Sequence, residues 1–125
     1  MQFRSARHTT DLQQIIDFYS GILGLKILGD FKDHDQYDGI FIGIPGKDWH
    51  LEFTVSNEKP LHKADEDDLL VFYAENESEF ESFRAKFKAK NRSEVEPKNP
   101  YWKANGQTYM DPDGFSIVIA KRNTL

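Results

Sequence analysis

There is no cysteine among the 125 residues, so neither a disulfide nor a thiolate can be built from this chain. Long apolar runs are missing as well, and none approaches the roughly 20 residues that a membrane-spanning helix needs. The opening stretch MQFRSARHTT lacks the apolar core of a secretion signal. Positive charge is scarce: 16 Lys and Arg against 21 Asp and Glu leave a net charge of -5. That balance disfavours nucleic acid, which asks for a basic face. No phosphate loop, Ser-His-Asp order or thiol motif is present. The expectation is a cytoplasmic protein with neither a nucleic-acid nor a membrane partner.

What is there suffices for a core. The hydrophobic fraction is 38%, the aromatic fraction 14%, and ten residues are Phe. This length suits a single domain, 1–125. The one basic run, RAKFKAKNR at 84–92, carries five cations and reads as the solvated C-terminal end of a helix.

Periodicity orders the chain. QFRSARH is short enough for a strand. In TDLQQIIDFYSGILG, the apolar residues Leu12, Ile15, Ile16, Tyr19, Ile22 and Leu23 recur at helical spacing and predict a helix over 11–23. Thr10 with Gln13 suits a capping box, and Gly24 a left-handed stop. KILGDF, GIFIGI and WHLEFTV read as strands, with turns at 33–39 and 45–48. A polar linker follows at about 57–67, and the order repeats. LLVFYA is a strand, and NESEFESFRAKFKAK a helix over 77–89, capped by Asn76 and Glu79, with Phe80, Phe83 and Phe87 as its buried stripe. SEVE is a weak strand, NPYW sits in a loop, and QTYM and FSIVIAKR are strands joined by a tight DPDG turn. Two copies of one strand-helix-three-strand unit result, about 1–56 and 68–125.

The stretch WHLEF poses the functional question. Side chains alternate along a strand, so His50 and Glu52 share a face and Trp49, Leu51 and Phe53 take the other. That pair is half of a metal site, a polar corner of a binding pocket, or a locally satisfied structural pair. His34 and Asp38, in FKDHDQYDG, and His62, in the linker, read as solvent-facing.

FYSGILGLKIL, WHLEF and DPDGFSIVI, in this order and spacing, resemble the glyoxalase/bleomycin-resistance/dioxygenase superfamily, also called vicinal oxygen chelate proteins. The resemblance covers nearly the whole chain. YDGIFIGIP, HLEF, LLVFY and NPYW further resemble its YycE-like branch. It implies an α+β fold: two βαβββ modules forming a cupped mixed sheet with the helices outside. It also implies a homodimer. Metal-dependent members of the superfamily place four ligands in the cup, and those positions fall here on Arg4, Glu52, Leu69 and Val118. Leu and Val offer no lone pair, and Arg stays cationic, so only Glu52 survives.

The implied cup is therefore an apolar pocket with a few polar anchors. Arg4, His50 and Glu52 are the anchors. Leu69, Val71 and Tyr73 share one strand face, Ser116 and Val118 another, and the aromatics Tyr37, Tyr101 and Trp102 sit in loops at the mouth. Arg4 is expected to meet Glu52 through a two-pronged contact, as a structural ion pair or as a reader of an anionic or carbonyl-bearing ligand. The resulting expectation is a protein that binds an unknown small molecule without a cofactor. The alternative is a metal-dependent lyase or isomerase related to glyoxalase I, using Glu52 and one divalent ion held by His8, His50 and Glu52. The residues leave open whether the protein is an enzyme at all.

Overall fold

The structure, a computed structural model, describes residues 1–122. The chain divides into two compact units, Met1–His62 and Lys63–Leu125. Both are α+β.

In the first unit, β1 (Phe3–His8) leads into α1 (Leu12–Tyr19), followed by β2 (Lys26–His34), β3 (Tyr37–Gly43) and β4 (Trp49–Val55). The sheet order is β1-β4-β3-β2, with β1 parallel to β4 and the other pairs antiparallel. The helix is capped by Asp11, not Thr10: the Asp11 carboxylate accepts from the N–H groups of Gln13 and Gln14. It also stops at Tyr19 rather than at 23. Gly21 lets the backbone cross Asp17, whose carbonyl oxygen any Cβ at that position would strike. The ladder loosens there, Gly21 N–H donating five residues back to Ile16, and Gly24 turns the chain at φ +77°. Ile22, Leu23 and Leu25 keep their apolar role from this turn, buried beside Ile15, Phe18 and Tyr19. They meet Ile40, Ile42, Leu51 and Phe53 from one sheet face, and the Tyr19 and Phe53 rings lie 5.0 Å apart. The turn expected over 33–39 shrinks to Asp35 and Gln36, both at positive φ, so β2 and β3 run into it as a tight hairpin.

In the second unit, β5 (Leu69–Tyr73), α2 (Glu77–Ala89), α3 (Pro100–Asn105), β6 (Gly106–Met110) and β7 (Ser116–Ala120) follow one another. The sheet order is β5-β7-β6, with β5 parallel to β7 and β6 antiparallel to it. This repeats the β1-β4-β3 arrangement of the first unit. Asn76 caps α2 through the Glu79 N–H at 2.8 Å, and the Glu79 carboxylate reaches back to the Glu75 N–H. Phe80 and Phe87 are buried, and Phe87 stacks on Tyr109 at 3.7 Å between ring centres. Phe83 is only half-buried, with Lys86 over its ring. SEVE contributes a single bridge, Val95 to Thr108, instead of a strand. NPYW forms the start of α3, with Asn99 as cap and Pro100 in the first turn, where its missing N–H costs nothing. The DPDG turn is held from inside: the buried Asp111 carboxylate accepts from Asp113 and Phe115 N–H.

Two predictions follow from this packing. Asp111→Ala strips a buried acceptor from two N–H groups and should cost about 2 kcal/mol, read as a lower urea midpoint. Burial raises the Tyr109 phenol above its ordinary 10.0, and the charge of Glu94 adds to this. The unfolded chain then releases that proton first, so stability is intact below about pH 10 and falls as pH rises beyond it. Thermal melts across alkaline pH should show a shallower loss for Tyr109→Phe than for the parent.

Candidate functional site

Register assembles the first cluster. Arg4 pairs with His50 across β1 and β4, Ala6 with Glu52, and Phe41 with Glu52 across β3 and β4. Paired residues share a face, so Arg4, His50, Glu52 and Phe41 gather on the side away from α1. The Arg4 guanidinium lies 4.8 Å from the Phe41 ring centre. Its Nε–H donates to His50 Nε2 at 3.0 Å, and Nη1 donates to Glu52 Oε1 at 3.3 Å. Arginine can only donate, so His50 Nε2 is the acceptor of this bond. His50 also stands edge-on to Phe41.

The contact differs from the expected two-pronged pair. One guanidinium nitrogen reaches Glu52 and another is taken by His50, because His50 rather than Glu52 is directly opposite Arg4 in the register. Burial is uneven too: the Arg4 side chain is 49% exposed and that of Glu52 14%. The cation is therefore held in place while part of its donor fork stays open to solvent.

His8 lies at the far end of β1, opposite Thr54. Its Nε2 is 3.2 Å from the Ser56 hydroxyl, and its carbonyl contacts His62. His8 is thus engaged away from His50 and Glu52. Among the described residues no three His, Asp or Glu side chains come together as a metal-holding group. His62 is exposed, as the sequence suggests, and its ring reaches the end of β1. His34 is exposed near Asp35, and the Asp38 carboxylate accepts from the Asp33 N–H.

The second unit gathers a different set. On the sheet face opposite α2, Leu69 pairs with Ser116 and Val71 with Val118, while Thr108 and Met110 of β6 pair with Val118 and Ser116. Leu69, Ser116, Trp102, Thr108 and Met110 line a cavity of about 170 Å³. Val71 and Tyr73 share the face but not the cavity. Val118, expected to line an open pocket, is fully buried and serves as packing. Tyr101 and Trp102 are helical, on α3, with rings edge-to-face at 4.9 Å, and Tyr37 begins β3. The sequence reading missed Phe41, Thr108 and Met110. Alternation in GIFIG, with Ile40 and Ile42 toward α1, was the signal for Phe41.

Residues 3–54 match the family model of the YycE-like N-terminal domain, and residues 67–121 that of the YycE-like C-terminal domain. The uncharacterized protein YycE of Bacillus subtilis (strain 168) is 44% identical over 121 residues, spanning 94% of this chain and 86% of that one. The crystal structure of a YycE protein of unknown function from Bacillus subtilis superposes with a TM-score of 0.85 at 43% identity, over 95% of this chain and 88% of that one. Glyoxalase I of Leishmania major shares the fold at TM-score 0.77 and 21% identity, over 99% and 88% of the two chains. So does an antibiotic-binding protein from Streptomyces sp. CB03234, at 0.70 and 18%, over 97% and 94%.

The Arg4–Glu52 contact is half open to water, which lowers its worth. A double-mutant cycle of Arg4→Met and Glu52→Gln, measured by urea unfolding, should give a coupling of about 0.5–1 kcal/mol.

Proposed function

The chain belongs to the YycE-like family, and we propose that it binds a small molecule on the sheet face bearing Arg4, His50 and Glu52, with Arg4 standing where a metal-dependent relative would hold an ion. One observation carries the reading: Arg4 is fixed by His50, Glu52 and the Phe41 ring, yet its side chain is 49% exposed. A donor fork that is positioned in advance loses little freedom on meeting an acceptor, so a ligand carbonyl or anionic oxygen gains most of the contact energy. Phe41, with Phe31 at 5.7 Å, offers an apolar wall beside it.

The competing reading is a lyase or isomerase in which Glu52, only 14% exposed, acts as a base or metal ligand. Metal analysis and ligand capture separate the two. Native mass spectrometry of protein purified without chelator should find no stoichiometric zinc, nickel or iron. A screen of small carboxylates and carbonyl compounds should yield binders that Arg4→Met weakens about tenfold, a factor worth roughly 1.4 kcal/mol. Stoichiometric metal lost in Glu52→Gln would transfer the protein to the enzyme reading. We further propose a symmetric homodimer acting in the cytoplasm. Light scattering at micromolar concentration should give twice the chain mass, and cell fractionation checks the compartment.

A further inference from the structure

The second unit holds a polar group without a partner. Thr108 is 2% exposed, and its hydroxyl has no hydrogen bond. A buried hydroxyl left unsatisfied is costly, and native proteins rarely keep one without a use. Thr108 lines two adjoining cavities, the one of about 170 Å³ already described and another of about 210 Å³. Both are also lined by Val95, Glu96, Pro97 and Trp102, so these residues form the partition between them.

The partition is lightly held. α3, which carries Trp102, has six residues and none is buried. Its side-chain tethers lie at the surface, namely the Asn99 cap, Asn105 donating to the Tyr101 carbonyl, and Lys103 on Glu96 at 2.7 Å, and its last residue is tied to the chain after β7 where the Asn105 carbonyl accepts from the Lys121 N–H.

Charge selects what would enter. The walls carry four carboxylates, Glu66, Asp67, Glu94 and Glu96, against Lys98 and Lys103. Both lysines are spent, Lys98 on Asp67 and Lys103 on Glu96. Among the described residues Glu66 and Glu94 are in no ion pair, although Glu94 also acts through space on Lys103, which leaves the walls with more negative than positive charge. An aromatic face beside uncompensated negative charge attracts an organic cation, and tryptophan is the strongest such face. We propose that this space is a binding site for a small organic ammonium carrying a hydroxyl, with the cation against Trp102 and the hydroxyl bonded to Thr108. Nothing in this site depends on Arg4.

Choline and its uncharged isostere 3,3-dimethylbutan-1-ol form the test pair. Titrations of ¹⁵N-labelled protein would follow the Trp102 indole N–H and the Thr108 amide. Choline should give saturable shifts confined to residues around 95–110, at an affinity about tenfold above the isostere. Trp102→Leu should abolish these shifts. Thr108→Val should weaken choline about threefold, the loss expected of one hydrogen bond, and weaken the hydroxyl-bearing isostere by the same factor. Arg4→Met should leave choline binding intact, so loss of the Arg4 reading and loss of this one are distinguishable. Equal affinity for both compounds, or no saturable shift with choline, overturns the proposal. The wild-type comparison decides this even if Trp102→Leu fails to fold.

Discussion

A carboxylate on the face of a β-sheet, with only 14% of its side chain open to water, requires a compensating charge close by, and Glu52 finds it in Arg4. Everything distinctive about the first unit is arranged around that requirement. The cation comes from β1, its orientation from His50 on β4, and its stacking surface from Phe41 on β3. β1 and β3 contribute one side chain each to the cluster and β4 two, while Ile40, Ile42, Leu51 and Phe53 of β3 and β4 turn toward α1 and make the core. The geometry matters for the chemistry: the guanidinium is steadied by two different acceptors, His50 and Glu52, and of its five N–H donors others remain.

Much of this was legible in the sequence. Alternation in WHLEF separated His50 and Glu52 from Leu51 and Phe53, and the structure buries the latter two in the core. The helix over 77–89 and the DPDG turn were readable because caps and turn residues act locally. The failures occur where several local options compete or where tertiary packing decides. Thr10 and Asp11 are both good caps one residue apart, and only the path of the chain from β1 selects Asp11. The apolar period from Leu12 to Leu23 continues past the helix, because Ile22 and Leu23 bury themselves equally well from a glycine-bearing turn. SEVE has a strand's composition but only one residue in pairing distance of β6. Parity placed Val118 on the right strand face, but parity cannot tell a buried residue from one that lines an opening.

The two units share a plan and differ in what they place on it. Each lays its first strand parallel to its last and packs a helix on one face. The first unit keeps a charged, hydrogen-bonded cluster on the other face. The second keeps mostly apolar side chains there, with the Thr108 and Ser116 hydroxyls and an acidic, tryptophan-bearing wall. Duplicated architecture thus supports two unlike chemical environments, in keeping with the rule that function resides in sites and not in folds.

The parallel pairing of β1 with β4 also dictates when the Arg4 cluster comes into being. Arg4 bonds to residues 46 and 48 positions further along the chain. Such distant contacts are slow to form, since the entropy of closing the intervening loop is paid before any reward arrives. During synthesis β1 leaves the ribosome first and waits for β4 before it can enter the sheet. No partly made unit can present the assembled guanidinium, so a compound captured there would act only on finished molecules, drawing the folding equilibrium toward them by mass action.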